Sequence, residues 1–308
     1  MQTAKANMKI LTYNLGLLNL TMAGRHVFRM APAFEARLAA APALLAATGA
    51  DVLMLQEVFG RRCQQRLIHA LRGVYPHAVG APQNGTFGGS GLLILSRHPL
   101  HDPGFSPYRD RDLLHAFWQQ GFLHAALDAP GFGLLRLVNV HLSISAGLRH
   151  PLSAGSMACR EREIAALMAA CSGRAAPGQK AAGIGGPDLL VGDFNCGPNY
   201  AVPNYAALLA SGYKDGFVLA NGSDHEHAGY SWNAANPIVA AGRYRGLPNQ
   251  RVDHLFVPQS GLERLRVKRA RLVLEDAAVK AGRRMVPLSD HYGMLFELDP
   301  AAAAKRGG

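Results

Sequence analysis

Ionisable and carboxamide side chains stand at the ends of several apolar runs in this 308-residue sequence. They are Asn14 after ILTY, Glu57 after LMLQ, Asn139 and His141 in LVNVHL, Asp193 and Asn195 in LLVGDFN, and Asp253 in RVDHLF. A further acid–imidazole pair, Asp290–His291, comes just before the apolar run MLFEL. One such residue alone is more often a cap or a satisfied core group, but buried carboxylates and imidazoles are costly unless paired, hydrogen-bonded or metal-bound. The repetition of the pattern therefore predicts a shared site at strand ends, where α/β architectures place ligands.

The residue types in this set favour one kind of chemistry. Asn, Glu and Asp without a cysteine cluster form an oxygen-rich site for a hard cation, most naturally Mg²⁺. Two imidazoles among the acids could supply a general base and a general acid. The sequence has no GxSxG elbow, Walker A loop, GxGxxG fingerprint or HExxH pair. We therefore predict hydrolysis of a phosphoester by activated water with the help of a metal ion.

The elements that must position these residues alternate between strand and helical character. Strands are predicted at 8–13, 51–56, 91–96, 134–142, 188–191, 252–257 and 294–298, and helices at 32–48, 61–71 and 157–170. Ligand groups at strand ends would by themselves suggest a parallel sheet. Strands fall on both sides of every candidate boundary, so we predict a single domain over 1–308, with a core at about 8–298 and a disordered tail at 300–308.

Composition narrows the class of protein. With 49% hydrophobic and 17% charged residues the chain can bury a sizeable core, which excludes a disordered protein. The four cysteines form no CxxC pair and are expected to be free thiols. No apolar run reaches the roughly 20 residues of a membrane-spanning helix, and no signal peptide is recognisable at the N-terminus. We expect a soluble protein, either cytoplasmic or exported without such a signal, whose net charge of +11 would attract nucleic acid or an anionic membrane.

Six short motifs occur in a family-like order: TYN at 12–14, LQEV at 55–58, NVHLS at 139–143, GDFN at 192–195, RVDHLF at 251–256 and LSDH at 288–291. Together they resemble the endonuclease/exonuclease/phosphatase superfamily. The resemblance implies a DNase I-like four-layer α/β sandwich, in which two packed, mostly antiparallel sheets carry helices outside. It replaces the parallel sheet that the strand ends alone would suggest.

Within the superfamily, the chain is most similar to the neutral sphingomyelinase branch. The similarity covers residues 74–100, QGFLHAAL at 120–127 and SWNAANP at 231–237, although Gln120 stands where that branch commonly has Lys. This branch implies a metal-dependent phosphodiesterase that hydrolyses sphingomyelin or a related phospholipid at a membrane surface. The alternatives are a DNase-like or abasic-site endonuclease, and a non-catalytic protein of the same fold that binds nucleic acid or membranes.

The resemblance also implies a role for each site residue. Glu57 matches the principal metal ligand, Asn14 lies beside it, and Asp290 is a second metal-side carboxylate. The metal would be Mg²⁺, with Mn²⁺ or Ca²⁺ as alternatives. The expected catalytic groups are the base His291, its orienting acid Asp253, the second histidine His141, and the phosphoryl- or metal-contacting pair Asp193 and Asn195. The motifs leave the division of acid and base roles between the histidines open.

Two further segments are candidates for substrate contact. Trp232, Asn233 and Asn236 precede RVDHLF where the family builds its pocket wall, and they could hold a phosphocholine group by cation–π contact and hydrogen bonds. The segment 104–121 mixes aromatic residues with arginines, which suits either a membrane contact or a packed active-site loop. His225 and His227 are expected to lie in a solvated loop rather than to bind metal.

Overall fold

A computed structural model of the protein describes residues 7–22, 25–29, 31–82, 89–108, 119–146, 149–172, 188–222 and 228–301. The candidate segment 104–121 is therefore described only at its two ends, and His225, His227 and residues 302–308 of the predicted tail lie outside the described residues. Among the described residues, no helix has the length and apolar character needed to cross a membrane.

Strands and helices alternate over only part of the chain, because the described strands between 77 and 141 and those between 253 and 300 follow one another without an α-helix. The alternation predicted from the apolar patterning is therefore only partly correct. The strands are β1 Met8–Asn14, β2 Asn19–Met22, β3 Arg25–Arg29, β4 Val52–Gln56, β5 His77–Gly80, β6 Leu93–Ser96, β7 Leu100–Pro107, β8 Gly121–Ala129, β9 Gly133–His141, β10 Asp188–Asp193, β11 Tyr213–Asp215, β12 Asp253–Pro258, β13 Leu265–Val273, β14 Ala278–Ala281, β15 Arg284–Pro287 and β16 Gly293–Pro300. The helices are α1 Phe34–Ala47, α2 Arg61–Leu71, α3 Ala154–Cys171, α4 Val202–Ala210, α5 Gly216–Asn221 and α6 Pro237–Ala241, with a 3₁₀ helix at Gln259–Glu263.

Two six-stranded sheets form the centre of the molecule, in the orders β13-β16-β1-β4-β6-β5 and β11-β12-β10-β9-β8-β7. Each is mostly antiparallel and contains one parallel pair, β1 with β4 in the first sheet and β9 with β10 in the second. The antiparallel majority confirms the architecture implied by the family resemblance, and the parallel sheet suggested by the strand ends alone is wrong. The strand-end argument still holds locally, because each parallel pair brings two carboxyl ends to the same sheet edge.

The two sheets pack face to face and carry helices on their outer sides. Alternate residues of both sheets, such as Ile10, Met54, Leu137 and Leu255, form the core between them. The opposite face of the first sheet packs against α1 and α2, and that of the second against α3 and α4. The predicted four-layer sandwich is therefore confirmed.

A layer of neutral polar side chains crosses the gap between the sheets below the predicted site. Gln56 Nε2 donates to Asn139 Oδ1 at 2.8 Å, and Asn139 Nδ2 donates to the carbonyl oxygens of Leu55 and Leu93. All four groups are buried, so these hydrogen bonds take the place of the bonds that the groups would otherwise form with water. This amide layer fixes the spacing of β4 and β9, whose ends carry site residues.

A buried arginine ties α1 to the same edge of the sandwich. Arg37 is 1% exposed. Its guanidinium donates to the carbonyl oxygens of Pro32, Leu15, Gly16 and Leu288, at 2.6 to 3.0 Å. It therefore connects the helix, the end of β1 and the segment before β16 through one side chain.

Replacing this guanidinium should destabilise the fold strongly. Arg37→Met keeps an apolar stem but leaves four carbonyl oxygens without their donor, so we expect a loss of about 3 kcal/mol or more in urea unfolding. Arg66→Met is the control, because Arg66 forms only an exposed ion pair with Glu35 on the surface, and its loss should cost less than about 1 kcal/mol. Equal effects of the two substitutions would contradict this role of Arg37.

Candidate active site

Asn14 lies between two carboxylates at the edge where the sheets meet. Its Nδ2 donates to Glu57 Oε1 at 3.1 Å and to Asp193 Oδ2 at 3.0 Å, so the amide joins the two sheets. Its Oδ1 accepts from the Gly16 backbone N–H at 3.0 Å, which fixes the orientation of the amide. The side chain therefore presents its nitrogen to both carboxylates, and the role of Asn14 as a metal ligand stays a prediction.

Glu57 reaches the site through an unusual backbone conformation. Gln56 faces the gap between the sheets, so alternation along a strand would turn the next side chain to the other face. The φ of Glu57 is 55°, in the left-handed region, and the chain leaves the sheet there. Burial raises the pKa of the Glu57 carboxyl; Asp290 acts in the same direction, whereas His141 and the hydrogen bond from Asn14 oppose it.

The GDFN motif forms a tight turn after β10. Gly192 has a φ of 151°, and a Cβ there would lie 1.9 Å from the Val140 carbonyl oxygen, so the close approach of β9 requires glycine. Asp193 Oδ1 accepts from the backbone N–H of Asn195, which has a left-handed φ of 47°. Asn195 Nδ2 donates to the Leu142 carbonyl oxygen. The turn therefore holds both side chains beside the end of β9.

Two imidazoles lie close to the same carboxylate oxygen of Asp193. The Nε2 atoms of His141 and His291 are 3.6 and 3.8 Å from Asp193 Oδ2, and His141 Nε2 is 4.0 Å from Glu57 Oε1. His141 comes from the second sheet, whereas His291 precedes β16 of the first. A reacting group near Asp193 would therefore meet an imidazole from each sheet.

Asp253 and His291 form a buried acid–imidazole pair. His291 Nδ1 lies 2.8 Å from Asp253 Oδ2, and both side chains are almost inaccessible to solvent. With the Nδ1 proton donated to the carboxylate, Nε2 faces the site and can accept a proton when the ring is neutral. Burial disfavours the charged ring, but Asp253 above all, together with Asp193 and Asp290, raises the pKa of His291 to about 10.

The segment before His291 is anchored to the end of β1. Ser289 Oγ donates to the Asn14 carbonyl oxygen at 2.6 Å and accepts from the His291 backbone N–H at 3.3 Å. Asp290, half-buried, lies against Gly16, where a Cβ would come within 2.5 Å of Asp290 Oδ1. The site residues of the first sheet are therefore held to one another by short backbone contacts.

The three residues predicted to line a substrate pocket have different surroundings. Trp232 is buried, and its backbone forms bridges with Gln250 and His291. Asn233 is half-buried and its Oδ1 accepts from the Ala235 N–H. Asn236 is fully buried; its Nδ2 donates to the Ser289 carbonyl oxygen and its Oδ1 caps α6. The Asn236 amide thus holds the segment before His291 at one end and the start of α6 at the other, and its contact with substrate stays a prediction.

Two buried residues of α3 hold the segment that follows His141, and the sequence analysis assigns neither of them a role. Glu163 of α3 accepts from the Ser143 N–H at 2.9 Å and from its hydroxyl. Arg160, one helical turn earlier, donates to the carbonyl oxygens of Ser143 and Ile144. Both residues lie in the charged stretch at 160–163, where only their burial distinguishes them from Glu161 and Arg162 beside them. Ser289 and Arg37 also escape sequence reasoning, and Arg37 lies in an Ala/Leu helix that gives no sign of its role.

The donor set suits a hard divalent cation. Carboxylates from Glu57, Asp193 and Asp290 lie at one edge of the sandwich. Burial, assisted by Asp290, raises the pKa of Glu57, and a bound cation would favour its ionised form. Asp193, Asp253 and His291 also offer one ligand atom each within 4.8 Å of one another. Two imidazoles, a buried acid paired with one of them and an oxygen-rich donor set are the groups that metal-assisted hydrolysis of a phosphoester would need.

The chain belongs to the Endonuclease/Exonuclease/phosphatase family, whose sequence model matches residues 11–291. No curated protein sequence matches the chain. The membership confirms the family resemblance carried by the six motifs.

Solved structures with the same fold include sphingomyelinases and a DNA-processing enzyme. Sphingomyelinase C from Streptomyces griseocarneus has a TM-score of 0.70 at 21% identity and covers 94% of this chain and 99% of its own. A mutant of beta toxin from Staphylococcus aureus with bound magnesium ions has a TM-score of 0.70 at 15% identity, with coverages of 94% and 99%. TDP2 from D. rerio, complexed with a single-strand DNA product, has a TM-score of 0.67 at 17% identity, with coverages of 95% and 99%. At these identities the likeness establishes the fold.

The titration of His291 should be visible in the stability of the metal-free protein. A pKa raised to about 10 in the folded state, against about 6.5 when unfolded, stabilises the fold below pH 6.5 and loses that contribution as the pH rises toward 10. In EDTA between pH 7 and 9, the unfolding free energy of the wild type should fall more steeply than that of His291→Gln, by at most about 1.4 kcal/mol per pH unit. Parallel urea-denaturation profiles would contradict the raised pKa.

Proposed function

We propose that this protein is a Mg²⁺-dependent phosphodiesterase that hydrolyses sphingomyelin or a related phospholipid and releases the phosphorylated headgroup. The observation that carries the proposal is the buried Asp253–His291 pair, whose Nε2 lies near Asp193 Oδ2, as does the Nε2 of the second imidazole, His141. This arrangement supplies a proton acceptor and a proton donor beside one carboxylate oxygen. Neither imidazole ring contacts a serine hydroxyl or a cysteine thiol in the hydrogen bonds and ion pairs described for the two rings.

Each of the site residues has a separate role in the proposed hydrolysis. Asp253 orients His291, which takes a proton from the attacking water at Nε2. His141 contacts the phosphoryl group or protonates the leaving oxygen. Asn195 Nδ2 donates to the Leu142 carbonyl oxygen, and the amide oxygen of Asn195 can accept a hydrogen bond from water or substrate. Asp193, whose Oδ2 lies 3.6 Å from His141 Nε2 and 3.8 Å from His291 Nε2, orients the proton that moves.

Glu57 and Asp290 would hold the cation, since His291 Nδ1 and Asp253 are already engaged with each other. When bound, Mg²⁺ neutralises charge on the phosphoryl oxygens, and Mn²⁺ or Ca²⁺ could replace it on the same oxygen donors. Asn14 positions Glu57 and Asp193 around this site through its amide nitrogen. A cation bound to these carboxylates would also lower the pKa of His291, because the negative charge of the carboxylates favours the protonated ring. The neutral ring could then act as a base.

Two observations support a phospholipid over other phosphodiesters. The sequence stretches around 74–100 and 231–237 resemble neutral sphingomyelinases, and bacterial sphingomyelinases are among the structures that share the fold across nearly the whole chain. The net charge of +11 and the fold shared with TDP2 favour a second candidate, a nuclease that uses the same residues. Both candidate functions require the protein to bind a substrate that carries anionic phosphate groups.

Hydrolysis of sphingomyelin liposomes tests the proposal directly. The wild type should release phosphocholine with Mg²⁺ and not with EDTA. Glu57→Gln and His291→Asn should each lose at least about 100-fold in turnover while they remain folded, since one removes a cation ligand and the other the base.

Glu35→Gln provides the matched control, because Glu35 is an exposed carboxylate whose described partner is Arg66, and it should hydrolyse at the wild-type rate. Phosphocholine release in EDTA would contradict the metal requirement. Degradation of plasmid or single-stranded DNA that depends on Glu57, without phosphocholine release, would replace the lipid by nucleic acid. No hydrolysis of either substrate would contradict the proposed function.

A pair of glycines tests whether Asp290 contributes to the cation site. Gly16 and Gly49 both have a left-handed φ, of 54° and 67°, but an added Cβ meets Asp290 only at Gly16. Both alanine variants should lose roughly 1–2 kcal/mol of stability. Gly16→Ala alone should weaken Mg²⁺ binding measured by calorimetry, by about tenfold or more. Unchanged affinity in Gly16→Ala would remove Asp290 from the site.

A further inference from the structure

A second acid–imidazole pair lies directly behind the first. His254 follows Asp253 on β12, so the two side chains point to opposite faces of the sheet. Asp253 faces His291 in the gap between the sheets, whereas His254 faces Asp215 on the helix side, with His254 Nδ1 3.3 Å from Asp215 Oδ2. His254 and Asp215 are 0% and 4% exposed, so neither can contact substrate.

The other nitrogen of His254 reaches the turn that carries Asp193 and Asn195. His254 Nε2 lies 3.0 Å from the carbonyl oxygens of Cys196 and Arg251. Both atoms are acceptors, so Nε2 must carry the proton and donate it. Cys196 directly follows Asn195, whose left-handed backbone sets the direction of its side chain. The ring therefore holds the last residue of the turn from behind.

The surroundings of His254 keep the ring in one position. Its ring stacks on Phe256 at 5.0 Å between centroids and is flanked by Tyr205 and Phe194 at 5.7 and 6.0 Å. Asp215 is fixed in turn by Tyr205, whose hydroxyl donates at 2.9 Å, and by the Phe217 N–H at 2.8 Å.

Arg251 completes this buried group of charges. Its Nη2 donates to Asp215 at 3.3 Å, and its guanidinium lies 4.4 Å from the centroid of the Phe217 ring. Although burial opposes ionisation, His254 and Arg251 hold the pKa of Asp215 well below its usual range. The carboxylate that faces His254 is therefore charged.

We infer that Asp215 and His254 are positioning residues, which hold the Asp193–Asn195 turn in its catalytic conformation through the bond from His254 Nε2 to the Cys196 carbonyl oxygen. A backbone shift at Cys196 would move Asn195 and the carboxylate that lies beside the two imidazoles. Small displacements of this kind slow the chemical step more than they weaken substrate binding. This role rests on the phosphodiesterase activity proposed above.

The test compares three variants with the wild type. His254→Phe keeps a ring but removes the donor, His254→Gln restores an N–H toward Cys196, and Leu208→Ala truncates a residue buried in the same apolar cluster. With bis(4-nitrophenyl) phosphate and Mg²⁺, His254→Phe should lose at least about tenfold in kcat with KM within twofold. His254→Gln should recover most of that loss, and Leu208→Ala should keep its kcat despite a lowered Tm. A wild-type kcat in His254→Phe, or equal losses in His254→Phe and Leu208→Ala, would overturn the inference.

Amide hydrogen exchange separates this inference from the proposed function. The N–H groups of Phe194 and Gly197 donate to the carbonyl oxygens of Val252 and Tyr200 within the turn. Their exchange should be faster in His254→Phe than in the wild type or Leu208→Ala, whether or not any substrate is hydrolysed. Unchanged exchange would overturn the positioning role even if the wild type is an active enzyme, whereas faster exchange in an inactive protein would refute only the proposed function.

Discussion

The hydrogen bond from Asn14 Nδ2 to Asp193 Oδ2 joins two sheets whose remaining contacts are largely apolar. It lies at an edge where both partners are nearly inaccessible to solvent, so a charge on Asp193 is tolerated only while donors surround it. The Asn14 side-chain amide also donates to Glu57, and the Asn14 backbone carbonyl oxygen accepts from the Ser289 hydroxyl. The separation of the two sheets therefore sets the separation of the carboxylates and of the imidazoles beside them.

Polarity rises toward this edge along the faces that line the gap. On β9 the inward positions run from Leu135 and Leu137 through Asn139 to His141, and on β1 from Met8 and Ile10 through Thr12 to Asn14. Apolar residues are followed by a neutral amide or hydroxyl, and then by a carboxamide or an ionisable group. The buried Gln56 and Asn139 amides form hydrogen bonds with each other and with backbone carbonyl oxygens across the gap. This layer holds the ionisable groups next to it in fixed positions. Such preorganisation is what electrostatic stabilisation of a transition state requires.

Most of the framework follows from the sequence because the central strands are continuous apolar runs. The helix at 61–71 is predicted with its observed bounds, since its buried residues recur at helical spacing. The edge strand β7 is missed because it contains Pro103 and Gly104, and its register shifts between His101 and Gly104. Helix α3 begins before its predicted start, at a cap supplied by Ser153. Such features depend on tertiary pairing or on single side chains rather than on periodicity.

The site illustrates the same division between pattern and geometry. Strand-end polarity identifies the residues that gather at the edge, but not the way each one faces. The Gly16 backbone N–H orients the Asn14 amide so that its nitrogen faces the carboxylates, and the Asn236 side-chain oxygen caps α6. On β12 the alternation of side chains sends two consecutive residues into two different acid–imidazole pairs, one in the gap and one behind it. A single strand thereby couples the Asp253–His291 pair to the packing of the outer layer, because neither Asp253 nor His254 can shift without moving the other.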